Sequence, residues 1–271
     1  MKNAVLFGLL VGSCLLLGEA AAQEPNRDAV LQFTLPEPRE GEGDAAELRA
    51  THYVIWSVDR DSSASGVPLI DTSGRSIPGS ELSARNWCQA ANNGSVRISS
   101  GGSSRVYNFI RVGPREVVNC EPYFRSFIAR DPDKNLPIVR GFGRSVWRAF
   151  GAEAPFGCGQ NARILVPYRT IAAPPEMRGF SVYIPQARGR RVPTPTGGEV
   201  VHDGWFLAGD SGGDINNSRI DIFAGERWTG AFGFVDRKNA SNQLVPVSAR
   251  VFPSAHAVSR ALEAVHPRHC R

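Results

Sequence analysis

The run Asp210-Ser211-Gly212-Gly213-Asp214-Ile215 is followed closely by Ser218-Arg219-Ile220-Asp221-Ile222-Phe223. Two carboxylates, Asp210 and Asp221, therefore flank a glycine-rich turn. An acid leaving one strand and another entering the next are brought to one barrel mouth by the intervening Gly and Asn residues. Paired carboxylates in unlike surroundings are equipment for cleaving glycosidic bonds. One stays protonated in a dry site and protonates the leaving oxygen, while the other stabilises the developing oxocarbenium charge. Acids beside turns are also ordinary solvated turn formers, so spacing alone leaves both readings open.

The same string, Gly209-Asp210-Ser211-Gly212-Gly213, has a competing reading through Ser211. A serine between glycines whose amides form an oxyanion hole is the nucleophile loop of trypsin-like serine proteases. That chemistry needs an upstream base, and only His52 and His202 precede the string. His202 lies too close in sequence to sit on a separate barrel. His52 lacks the small residues and cysteine that surround a protease histidine, and Asp214 stands where a proline is expected. The protease is the remote alternative.

Other candidate contacts are Arg169-Thr170, through guanidinium and hydroxyl, and the tryptophans Trp205 and Trp228, which flank the acidic region and could stack on sugar rings. Trp56, Trp87 and Trp147 read as core. His202-Asp203 reads as a structural turn ahead of a strand. No metal and no cofactor is expected: the cysteines fit no compact ligand pattern, and His266 and His269 read as a solvated tail.

These groups need a scaffold. The chain has 271 residues, with 31 basic and 26 acidic side chains for a net charge of +5, and it is rich in turn formers with 28 Gly and 19 Pro. That balance favours a turn-rich β architecture over a helical bundle. The N-terminus reads as a secretory signal, residues 1–22: Lys2, an apolar core over residues 4–17, then Ala20-Ala21-Ala22. Lipoprotein anchoring through Cys14 is the minor alternative. Beyond that core no run approaches the roughly 20 apolar residues of a membrane span. An exported chain keeping Cys88, Cys120, Cys158 and Cys270 predicts two disulfides with connectivity open.

Residues 23–50 are polar and proline-containing and read as a flexible lead-in, with the fold proper starting near Thr51. Short β-like runs follow at 53–58, 95–98, 105–110, 164–166, 180–184, 205–208, 220–223 and 231–235, separated by turn residues. A closing helix is predicted with Ser254 as cap, Val258, Leu262 and Val265 on one face and Pro267 as stop, packed on the outside of a barrel.

The segment His202-Asp203-Gly204-Trp205-Phe206-Leu207-Ala208-Gly209-Asp210-Ser211-Gly212-Gly213, continuing to Arg219-Ile220-Asp221-Ile222-Phe223-Ala224-Gly225, resembles the three-aspartate (3D) domain family of bacterial murein-active proteins. Leu165-Val166-Pro167-Tyr168-Arg169-Thr170-Ile171-Ala172-Ala173 and Gly179-Phe180-Ser181-Val182-Tyr183-Ile184-Pro185 resemble its preceding strands, in the same order. The family includes the barrel domain of the membrane-bound lytic transglycosylase A family. The resemblance implies a mainly β fold, a double-psi β-barrel, with Thr51-His52-Tyr53-Val54-Ile55 in its first strand. Residues 51–162 then hold that strand plus a long folded insertion, and residues 163–271 hold the barrel and the helix.

The resemblance also implies an exported enzyme acting on peptidoglycan glycan strands, in the periplasm or outside the cell, with no nucleic-acid partner. Asp221 would be the acid and then base that gives 1,6-anhydromuramyl products, and Asp210 would support it. Gly212, Gly213 and Asp214 would join Arg169, Thr170, Trp205 and Trp228 around the substrate. Two departures stand out. The family's first aspartate is missing where Ile171-Ala172-Ala173 runs into Pro174-Pro175-Glu176, and Asp214-Ile215-Asn216-Asn217 replaces a stretch that normally carries a lysine. They motivate the alternative of a peptidoglycan-binding barrel without catalysis.

Overall fold

The computed structural model describes residues 29–151, 154–159, 163–212, 215, 218–266 and 270. The expected signal segment with Cys14, and Gly213, Asp214, Pro267 and His269, lie outside the described residues. The chain opens with a short helix α1 (Ala29–Gln32) and strand β1 (Asp44–Tyr53). It then builds a second lobe from β2 (Trp56–Asp59), α2 (Ala84–Asn93), β3 (Ser95–Ser100), β4 (Ser103–Val112), α3 (Arg125–Arg130), α4 (Pro132–Phe142) and β5 (Ser145–Phe150). It returns through β6 (Thr170–Ala172), β7 (Ser181–Tyr183), the hairpin β8 (Arg191–Pro193) and β9 (Glu199–Val201), β10 (Trp205–Asp210), β11 (Arg219–Phe223), β12 (Val247–Phe252) and α5 (Ala257–Val265).

Six strands close a barrel in the order β1-β11-β6-β10-β7-β12. Two of its pairings, β1 with β11 and β6 with β10, are parallel, and the rest are antiparallel. Exchanging β1, β6 and β7 for β10, β11 and β12 reproduces the same set of neighbours. That internal two-fold, which exchanges the two parallel pairs, each joining a strand of one half to a strand of the other, is the double-psi barrel.

Alternation of side chains explains the strands. On β11, Ile220 and Ile222 enter the barrel core, while Phe223 packs outside it with Ile55, Val106 and Phe156. On β10, Phe206 and Ala208 face inward, and Trp205 and Leu207 face outward under Leu262 of α5. Both faces of β10 are covered, which is why its sequence reads as a continuous apolar run.

The second lobe is a four-stranded sheet in the order β2-β3-β4-β5. Trp87, Cys88 and Ala90 of α2 pack with Trp147, Val96 and Tyr107 in its core. A disulfide joins Cys88 to Cys120, and another joins Cys158 to Cys270.

Several sequence expectations change. Residues 29–50 are no lead-in: Val30 and Leu31 sit in the barrel core and β1 starts at Asp44. Its charged residues alternate with Leu48 and Ala50, a half-buried strand that composition alone disguises as linker. The run 53–58 splits between lobes, since β1 ends at Tyr53 and β2 begins at Trp56. Residues 164–166 and 231–235 form no strand, although Leu165, Val166, Phe232, Phe234 and Val235 are buried as loop anchors. The cap of α5 is His256, whose Nδ1 accepts from the Val258 amide, and not Ser254.

Candidate active site

The strand order places three polar side chains in one row, with Ala172 between the two acids. In register, Thr51 of β1 faces Asp221 of β11, Asp221 faces Ala172 of β6, and Ala172 faces Asp210 of β10. Strict alternation would put Asp210 on the interior face with Phe206 and Ala208. The β6–β10 register shifts between Ala208 and Asp210, so a bulge at Gly209 re-aims the Asp210 carboxyl to the outside. Asp221 needs no such device, because it already alternates with Ile220 and Ile222.

Both carboxylates line a cleft of about 430 Å³ between the lobes. Tyr53, Ser211 and Gly212 complete its barrel wall, and Asn92, Phe124, Phe127 and Arg130 stand on the wall given by the second lobe. Aromatic faces, amides and a guanidinium opposite two acids make a surface suited to a polar, ring-bearing chain. Arg130 lies over the Phe127 ring at 5.0 Å, which holds both side chains in place.

The two acids differ in surroundings. Asp221 Oδ1 accepts from the Thr51 hydroxyl and lies 3.3 Å from Arg219 Nε, and Arg219 Nη2 also donates to Thr51 at 3.3 Å. Asp210 Oδ2 accepts from the Tyr53 hydroxyl at 2.8 Å. Burial pushes the Asp210 pKa up to about 6, against the opposing pull of Tyr53 and the Ser211 amide. Tyr53 itself is raised well above its ordinary value, by burial first and then by the charges of Asp210 and Asp221. It remains a neutral donor to Asp210 at any physiological pH.

Behind this floor a tight strut joins the lobes. The Cys158 amide donates to Asn108 Oδ1 of β4, and a β-carbon on Gly159 would lie 2.4 Å from the Gly209 carbonyl and 3.1 Å from Asp210 Cβ. Cys158 is tied to Cys270, so the far end of the chain is fixed to the segment that backs Asp210.

Of the other expected contacts, Gly212 lines the cleft, whereas Gly213 and Asp214 lie outside the described residues. Arg169, Thr170 and Trp205 are corrected to interior positions. Arg169 is 0 % exposed, pairs with Asp203 at 2.7 Å and donates to the carbonyls of Trp205 and Phe33. Its charge is consumed in holding α1 and β10 together. Thr170 caps its own turn by accepting from the Val166 amide, and it meets His266 Nε2 at 3.3 Å. Trp205 is buried under α5 and donates to the Pro36 carbonyl. Trp228 packs on the barrel core and stacks on His52, with ring centroids 4.9 Å apart, and is no part of the cleft lining.

His202 donates through Nε2 to the Tyr168 carbonyl and accepts the Gly204 amide at Nδ1. Burial, then the Arg169 charge, lowers its pKa to about 3. It is a neutral structural group, and neither ring nitrogen remains to serve Ser211 as a base. His266 is likewise buried rather than part of a solvated tail, with its pKa lowered to about 3 by burial. Sequence reasoning missed Tyr53, Thr51 and Arg219, and the whole insertion wall. Alternation from Leu48 and Ala50 was the signal that would have turned Thr51 and Tyr53 outward.

Fold and cleft together define a two-lobed double-psi barrel protein with an acidic floor between the lobes. No family model and no characterised protein sequence matches the chain. Among solved structures it is similar to MltA from Neisseria gonorrhoeae, with 10% identity over 78% of this chain and 73% of that one at a TM-score of 0.43. It is also similar to E. coli MltA with bound chitohexaose (13%, 77% and 72%, TM-score 0.39) and to LtgG, a lytic transglycosylase of Burkholderia pseudomallei (15%, 77% and 73%, TM-score 0.35). Likeness of that degree carries no functional argument, and the case for function rests on the cleft.

Proposed function

We propose that the protein is an exported enzyme that cleaves the glycan strands of peptidoglycan in the manner of a lytic transglycosylase. The observation that carries this reading is the pair Asp210 and Asp221, held on the two barrel strands that flank β6, at the floor of one cleft but in different surroundings. In the assignment that the sequence resemblance implies, Asp221 protonates the glycosidic oxygen. The same carboxylate then takes the proton of the muramyl 6-hydroxyl as that oxygen attacks the anomeric carbon, closing a 1,6-anhydro ring without water. Asp210, ionised above its pKa of about 6, faces the oxocarbenium charge.

A second assignment is favoured by the burial of Asp210. A carboxyl with a pKa near 6 keeps its proton closer to neutrality and is the better placed acid there, which would leave Asp221, beside Arg219, to face the oxocarbenium charge. The two assignments predict opposite limbs in the pH profile. With Asp221 as acid, the rate falls as pH drops below about 6. With Asp210 as acid, it falls as pH rises above about 6.

The test is incubation of residues 23–271, with Asp221→Asn and Asp210→Asn alongside, on intact peptidoglycan from pH 4 to 8, reading soluble products by mass spectrometry. Anhydro-muropeptides lost by a factor of at least about 100 in Asp221→Asn support the first assignment. Retention on the wall with no product from the native sequence sinks the enzyme in favour of a binding barrel.

A further inference from the structure

A second cavity, of about 340 Å³, opens where the turn at residues 71–74 meets the end of β4 and the start of β5. Three guanidinium groups line it: Arg111, Arg115 and Arg144. Arg111 Nη2 donates to the Thr72 carbonyl at 3.3 Å, and Arg144 Nε donates to the Gly113 carbonyl at 2.8 Å. These two are thus each oriented through one N–H, and a guanidinium has five. Among the described residues none of the three has a carboxylate partner.

The one acid in the wall, Asp71, is turned to its own loop. Its Oδ1 accepts from the Ser73 amide, the Ser73 hydroxyl and the Arg75 amide, and the Arg75 guanidinium lies 3.6 Å from Oδ2. Like charges gathered around a concave wall repel one another unless an anion joins them, and planar guanidinium forks match carboxylate and phosphate oxygens in pairs.

We propose that this cavity is a second binding site, for an oxyanion group, carboxylate or phosphate, carried by a ligand of the protein. It adjoins the cleft along the chain: Phe142 lines the cleft, Arg144 lines the cavity, and only Gly143 lies between. The backbone is closely packed at that link: a β-carbon on Gly143 would meet the Val118 carbonyl oxygen at 1.8 Å. An acidic group engaged by the arginines is therefore registered against the second-lobe wall of the cleft. The site stands on its own charges and does not depend on whether the cleft cuts glycan.

The experiment titrates the native protein with inorganic phosphate and, separately, with glutarate, at constant ionic strength with chloride as control. Binding is read by calorimetry and by amide shifts. Saturable binding of a probe is expected, weakened at least tenfold in Arg115→Gln/Arg144→Gln and unchanged in Arg85→Gln, whose residue lies outside the cavity. Preference for phosphate points to a phosphodiester polymer, and preference for glutarate to peptide carboxylates. Should the double variant fail to fold, the single variant Arg115→Gln, at an exposed residue with no carboxylate partner among the described residues, carries the comparison. No saturable binding of either probe, or equal binding by a folded variant, overturns the proposal.

Discussion

Asp210 titrates near 3.8 in an unfolded chain and at about 6 in the folded one. The folded state therefore holds a proton that the unfolded state releases between those values. Below about pH 3 the carboxyl is neutral in both states and costs nothing. As pH rises to 6 its buried charge accumulates a penalty, constant above that, of up to about 3 kcal/mol. Asp210→Asn removes the charge but keeps an acceptor for Tyr53. The variant should be more stable than the native sequence at pH 8 and lose that advantage at pH 3, as read from urea midpoints. A native protein whose stability relative to the variant does not change over that range would show that Asp210 is solvated and titrates normally. Tyr53→Phe acts in the opposite sense to solvation. Its hydroxyl favours the charged carboxylate, so its loss should move the inflection near pH 6 in the rate profile upward, by about 1 unit.

Elements set those residue properties. β10 is buried on both faces and ends in a bulge, and without the bulge the Asp210 carboxyl would point into the barrel core. The strut of residues 157–159 presses on that bulge so closely that only glycine fits at 159. Gly159→Ala must push Gly209 and Asp210 away, costing about 1–3 kcal/mol by overpacking and displacing the carboxyl. The expected outcome is a folded protein with a lower denaturation midpoint and sharply reduced product release. Unchanged activity would mean that the bulge tolerates movement. The polar segment that reads as a lead-in is structural as well: α1 and the residues after it give the carbonyls that Arg169 and Trp205 need.

At the scale of the molecule, the buried pair Arg169–Asp203 joins α1, the turn before β6 and the start of β10, and it has no access to a ligand. Arg169→Met strands the Asp203 charge in the interior and should cost about 3–5 kcal/mol, with part recovered in Arg169→Met/Asp203→Asn. A substrate-contacting arginine would behave differently, raising KM with the denaturation midpoint unchanged. Among the described residues no helix is long and apolar enough to cross a membrane. The cleft exists only because the insertion between β1 and β6 folds as a lobe of its own and returns a wall opposite the barrel acids.

The sequence alone determined the β character, the strands around Phe206 and Ile222, the terminal helix and the presence of Asp210 and Asp221 at one barrel mouth. Each of these is written locally, in alternation, in turn residues or in a motif whose parts lie close along the chain. The tertiary structure decided what depends on contacts between distant segments. Polar β1 is a core strand because β11 and β12 flank it. Arg169 and Trp205 are interior because α1 and α5 cover them, and Tyr53 reaches Asp210 only across the closed barrel. Burial, which raises one carboxyl and neutralises two histidines, is a property of the assembled neighbourhood, and no window of sequence contains it.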